Sequence, residues 1–319
     1  LVGAYVGSAF VRLELFTSLS IIFLSSIGLS IIIREILNCK NQLHPIRNNI
    51  IKFSYVGGIL ILIIIPSTFS ASNWNSILDT PAIILNGGST YNVATNDWIE
   101  SLEWIKLNTP SDSIILSWWD YGYWITTISE RTTLVDNATI DSKQIQKVAN
   151  ILLSPPDDPW NMLQETGSDY VVIFVSGQKF SSSDENLLYL LDGGGDESKK
   201  MWFMKIAGVP VEKYLHSDGI SGTDYFWNET LLGKMIPFSL VAYTHANNNQ
   251  ISLTYVPGFT GIYTDDIKYS EDDNGPLQLV YASSSFIERK PGPLIGVFVY
   301  EINKNYVPSQ NSLHSKFIE

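Results

Sequence analysis

Cysteine is almost missing from this 319-residue chain, which has one, Cys39. Residues 70–319 have none and cannot contain a disulfide, whatever compartment they occupy. The four histidines, His44, His216, His245 and His314, are scattered and give no zinc-binding spacing. Positive charge is scarce past residue 69. Residues 1–69 hold five basic and two acidic residues, which leaves 15 basic and 30 acidic ones for residues 70–319. Phosphate contacts need lysine and arginine, so an acidic body of this kind excludes nucleic acid as a partner. There is no repeat of fixed period. The chain opens at Leu1 inside an apolar run, with no charged leader region, so no signal peptide is expected and the sequence reads as the C-terminal piece of a longer membrane protein.

What is present first is apolar length. Leu15–Ile33, LFTSLSIIFLSSIGLSIII, runs 19 residues without a charge, about the span of a hydrocarbon core. Phe53–Phe69 is a second uncharged run, which Ile50, Ile51 and a snorkelling Lys52 can extend. Both are apolar on every face, unlike a core helix. The segment between them, 34–52, carries four basic residues and one acid, which makes it the cytoplasmic loop and puts everything after residue 70 outside the cell. Arg12 then sits near the outer end of the first helix, either paired with Glu14 at the interface or facing a functional partner.

The body alternates helical and strand patterns. Asn96–Asn108 and 141–153 read as helices, as does 161–167; Ser113–Ser117 and Asp169–Val175 read as buried strands. Past residue 236, short strand-like runs recur between turn residues. The expected fold class is mixed α+β in three parts. Residues 1–69 form two transmembrane helices, 70–235 an extracytoplasmic α/β domain, and 236–319 a small β-rich unit.

The stretch SWWDYGYW, 117–124, follows the first buried strand and carries a turn-permitting Gly122. An ionised Asp120 only accepts hydrogen bonds and an indole only donates them, so Trp118, Trp119 and Asp120 offer both halves of a bond pair to a small hydroxyl. The alternative is an aromatic cluster in which Asp120 caps a helix starting at Gly122.

Trp118-Trp119-Asp120-Tyr121-Gly122 resembles the signature of the oligosaccharyltransferase catalytic subunit, the STT3/AglB/PglB family. RTTLVDNAT (131–139) is similar to that family's downstream strand, and VRLEL (11–15) to an arginine-bearing segment of a late membrane helix. The order of parts is similar to that of archaeal members. The resemblance implies that Trp118, Trp119 and Asp120, with Tyr121 and Gly122, bind the hydroxyl at the +2 position of an Asn-X-Ser/Thr acceptor. It implies a second motif in DESKKMWFMKI, with Asp196 and Lys199, then Phe203 and Met204 where the family has Met and Ile; a one-residue shift would use Lys200 instead. Arg12 matches the arginine that meets the phosphate of a lipid-linked oligosaccharide. The full-length enzyme would use Mg or Mn, held by earlier loops, with no metal ligand and no catalytic residue in this fragment. The implied partners are an acceptor polypeptide, the lipid-linked oligosaccharide, the membrane and an N-terminal transmembrane region of the same enzyme. The implied location is a multi-pass cell-membrane protein with its C-terminal domain extracellular. Asn137 and Asn228 each head a sequon and are candidate glycosylation sites. The competing reading is a tethered surface module that binds glycans without catalysis.

Overall fold

The computed structural model describes residues 14–38, 45–68, 80–155, 160–181, 187–245, 250–269 and 275–307. The chain divides into two compact units, Leu1–Thr80 and Pro81–Glu319.

In the first unit both apolar runs are helical, α1 (Glu14–Asn38) and α2 (Pro45–Thr68). Within α1, Thr17–Asn38 is long and apolar enough to cross a membrane; the apolar part of α2, Asn49–Ile65, is shorter. Their apolar side chains are largely exposed, with Phe23, Leu24 and Leu62 each about two-thirds bare or more. The Lys52 ammonium donates to the Leu37 carbonyl at 2.6 Å, joining the start of α2 to the end of α1. Arg12 lies outside the described residues.

The second unit is built on one nine-stranded mixed sheet among the described residues. Its axis is β3 (Tyr170–Ser181), whose Val171–Val175 run is buried on both faces, which explains the unbroken apolar sequence there. β1 (Ile114–Ser117) lies parallel to β3 and to the two-residue β2 (Thr132–Thr133). β9 (Gly292–Ile302) runs antiparallel to β3 from Lys179↔Gly292 to Tyr170↔Glu301. β4 (Leu187–Leu191) continues from β3 to β7 (Thr260–Asp265), β5 (Phe238–Thr244) and β6 (Ile251–Ser252), while β8 (Leu277–Ala282) pairs with β9. Residues 236–319 are strand-rich, as their turn spacing suggests. They are not a unit apart, because β9 is hydrogen-bonded along the length of β3 and β7 pairs with β4. Three helices matter to the site: α3 (Asp97–Asn108), α4 (Ser142–Leu153) and α5 (Lys200–Ala207). α4 is the clearest sequence-to-structure case. Asp141 caps it by accepting from the Lys143 and Gln144 amides, and Ile145, Val148, Ala149 and Leu152 form its buried stripe.

Three partly or wholly buried cations share one solution to desolvation. Arg131 donates to the Lys106 and Thr109 carbonyls at the end of α3. Lys179 donates to the Ser285 and Glu288 carbonyls, at the end of the short helix Ser284–Ile287. Lys268 donates to the Gly233 and Phe238 carbonyls at 2.9 and 3.1 Å, where the short helix Leu231–Met235 ends. Helix C-termini carry partial negative charge and orphan carbonyls, so each cation meets acceptors it needs. Burial still holds the Lys268 amine down to about 8 from 10.5. Between about pH 8 and 10.5 the unfolded chain keeps a proton that the folded one has released, so stability rises with pH across that window. Below it both states are charged and the burial cost is complete. Thermal melts should show the wild type gaining about 2 kcal/mol from pH 7.5 to pH 10 relative to Lys268→Met. Parallel profiles for the two proteins would refute this.

Candidate functional site: an acid, a lysine and two tryptophans at the end of β1

After β1 the chain enters a tight helical turn, Trp119–Tyr121, followed by Gly122–Trp124 and a π-helical turn, Ile125–Ser129. Three residues per turn in the tight segment put Trp118 and Tyr121 on one side and Trp119 with Asp120 on the other. Trp118 and Tyr121 are accordingly 2 % and 1 % exposed. Trp118 rests on Phe203, ring centres 4.2 Å apart, and Tyr121 packs against Trp98 at 4.8 Å and Phe174 at 6.0 Å. Trp119 is partly buried, its ring 6.0 Å from that of Trp118. The Asp120 side chain keeps 29 % of its surface exposed. Gly122 is needed for closeness rather than for a special dihedral: a Cβ there would lie 2.6 Å from the Asp136 Cα and the Val135 carbonyl oxygen.

The second half of the site comes from the start of α5. Gly193 and Gly194 take left-handed backbone angles, and Gly195 lies so near β3 that a Cβ would come within 2.6 Å of the Ser176 nitrogen. Asp196 is thereby pinned to the sheet. Its amide donates to the Phe174 carbonyl at 2.6 Å, and its Oδ2 accepts from the Phe174 amide at 2.9 Å. Its Oδ1 accepts from the Tyr121 hydroxyl at 2.7 Å. Burial raises the Asp196 carboxyl above its ordinary range, against Lys199 and these hydrogen bonds, which pull it back. Burial, together with Asp196, pushes the Tyr121 phenol well above 10 and keeps it protonated.

Lys199 closes the cluster. Its ammonium lies 2.9 Å from Asp120 Oδ2, 2.9 Å from the Tyr121 hydroxyl oxygen and 4.0 Å from Asp196 Oδ1. Lys200 turns the other way, onto its own partner Glu197 and the rings of Phe226 and Trp227. Of the two readings of the second motif, the geometry therefore joins Asp196 and Lys199 to Asp120. Phe203 and Met204 are wholly buried. Phe203 supports Trp118 from beneath, so these two residues of the second motif lie under the ledge rather than on its open face. The accessible ledge is Trp119, Asp120 and Lys199. Among the described residues no three His, Cys, Asp or Glu side chains gather closely enough to hold a metal ion.

The reading of Asp120 as a helix cap is also corrected. No side chain at the start of that turn bonds its backbone; the distant Asn137 does. Asn228 is exposed, but the Thr230 hydroxyl of its sequon is buried, donating to the Phe226 carbonyl and accepting from the Gly233 amide. Sequence reasoning missed Trp98 and Phe174 as the floor beneath Tyr121. The only signal for them was their place in a helix and a strand already read as buried.

The site is thus an aromatic ledge carrying an acid–lysine pair, set between a strand end and a helix start of a mixed sheet. In sequence, residues 111–172 match the model of the STT3/PglB/AglB core domain. The chain is 28 % identical over 214 residues to the dolichyl-diphosphooligosaccharide–protein glycosyltransferase subunit STT3B of Oryza sativa subsp. japonica, covering 65 % of this chain and 27 % of that one. It is 32 % identical to the Arabidopsis thaliana STT3B subunit, covering 66 % and 28 %. The chain thus spans little more than a quarter of the length of these relatives. Among solved structures, the C-terminal globular domain of an oligosaccharyltransferase from Archaeoglobus fulgidus aligns at 20 % identity and TM-score 0.37, covering 66 % of this chain and 98 % of that one.

Proposed function

We propose that this chain is the C-terminal part of a membrane oligosaccharyltransferase catalytic subunit, and that its ledge reads the +2 Ser or Thr of an Asn-X-Ser/Thr acceptor. The enzyme as a whole would transfer a glycan from a lipid-linked oligosaccharide to the acceptor asparagine. One observation carries the reading. Asp120 is paired through a single oxygen with Lys199 and remains partly open, at 2.9 Å and 29 % exposure. Oδ1 is then placed to accept from an incoming hydroxyl while the neighbouring ammonium donates to the hydroxyl oxygen. The buried Trp118, Tyr121 and Phe203 hold both groups at fixed positions, so little ordering is needed on binding. Named relatives are glycosyltransferase subunits of this type, and a neighbouring structure holds an inhibitory peptide and a dolichol-phosphate.

On this reading α1 and α2 tether the body as late spans of a multi-pass protein, with the body extracellular. Arg12 meets the phosphate of the lipid-linked substrate. The Mg or Mn expected of the full enzyme would be held by earlier loops, and among the described residues no three His, Cys, Asp or Glu side chains gather to hold it. The test is affinity. A peptide with Asn-X-Thr should bind the chain about 10- to 100-fold more tightly than its isosteric Asn-X-Val counterpart, as hydroxyl-reading sites discriminate against partners that leave polar groups unpaired. Equal affinities would refute the proposal.

A further inference from the structure

The turn that presents Asp120 is held from outside by one side chain. Asn137 Nδ2 donates to the Asp120 carbonyl at 2.9 Å, and Asn137 Oδ1 accepts from the Tyr123 amide at 3.1 Å. The two ends of one carboxamide thus bracket the Asp120–Tyr123 backbone. The Tyr123 amide lies in the first turn of a helix whose own N-cap, Tyr121, has no capping side-chain bond. Asn137 therefore supplies a cap from a separate loop. That loop is itself fixed. Asp136 accepts from the Ala138 amide at 2.8 Å through Oδ1 and from the Thr139 amide at 3.1 Å through its carbonyl, and Thr139 takes a left-handed φ of 51°. The Gly122 backbone lies directly against Val135 and Asp136.

We infer that Asn137 is a positioning residue for Asp120: it sets the angle at which the Asp120 carboxylate meets Lys199 and the acceptor hydroxyl. A second consequence is that Asn137 stays unglycosylated in the folded protein, because both ends of its carboxamide are engaged by the turn and are not presented as an acceptor. The inference rests on the proposed hydroxyl reading for its functional half, while its structural half stands on the two hydrogen bonds alone.

The experiment uses the full chain in detergent with three proteins: wild type, Asn137→Ala and Asn137→Asp. The aspartate keeps an acceptor for the Tyr123 amide and loses the donor to Asp120. Hydrogen exchange at the Tyr123 amide is expected to be about tenfold faster in Asn137→Ala and restored in Asn137→Asp. Affinity for the Asn-X-Thr peptide should fall about tenfold in Asn137→Ala and recover only in part in Asn137→Asp, with Asn-X-Val binding unchanged. Intact-mass analysis should find Asn137 unmodified. Unchanged Tyr123 exchange in Asn137→Ala, a glycan on Asn137, or lost protection with full peptide affinity would each overturn the inference. If the wild type fails to prefer threonine, the functional reading falls, and the exchange result still decides whether Asn137 holds the turn.

Discussion

Replacing Asp120 by Asn should bring the affinity for an Asn-X-Thr peptide down about 100-fold, to the level of Asn-X-Val, while the melting temperature changes little. The Asp120 side chain is partly exposed, so its loss removes no core packing. What it does remove is the anion that holds Lys199 at 2.9 Å and the acceptor for the hydroxyl. Lys199→Met should give a similar loss. In the double variant the two losses should not add, because each single change already breaks the same pair; a coupling of about 1–2 kcal/mol is expected from the cycle. Strict additivity would show that the two groups act separately and would remove Lys199 from the site.

The second large effect is on stability. Gly122→Ala should destabilise the body by about 3 kcal/mol, more than overpacking at a yielding side chain would, since the added methyl meets main-chain atoms of Val135 and Asp136 at 2.6 Å. Backbone cannot swing aside as the end of a side chain can. A melt indistinguishable from wild type would mean that the 135–136 segment yields, and with it the bracket at Asn137. By contrast, Gly258→Ala is a control for glycine replacement in general, because nothing lies within 4 Å of a Cβ there, although its φ of 85° carries its own strain.

Much of the site was legible in the sequence. A short apolar strand ending in a glycine-bearing aromatic stretch predicts a presented acid, and Asp120 is one. Asp196 and Lys199, paired in the sequence by the resemblance, both reach the Tyr121 hydroxyl. The choice between Lys199 and Lys200 was not legible from helical spacing. It is decided by Glu197, three residues before Lys200, which draws that lysine away into the aromatic pair Phe226 and Trp227. Which aromatics lie inward was hidden too, because a tight three-residue turn, not an α-helix, sets their direction. The single sheet was hidden for another reason. The pairing of β3 with β9 joins segments that lie far apart in the chain, Tyr170–Ser181 and Gly292–Ile302, and alternation within a strand says nothing about its partner.

Asp196 gives the fold an unusual mechanical property. The residue is bolted to the central strand twice, its own amide donating to the Phe174 carbonyl and its carboxylate accepting from the Phe174 amide, and the same carboxylate accepts from the Tyr121 hydroxyl behind the ledge. The start of α5 cannot drift without pulling on β3. Disturbances deep in the sheet, such as a trimmed side chain at Phe174, would therefore be felt at the rim as altered selectivity before they were felt as unfolding.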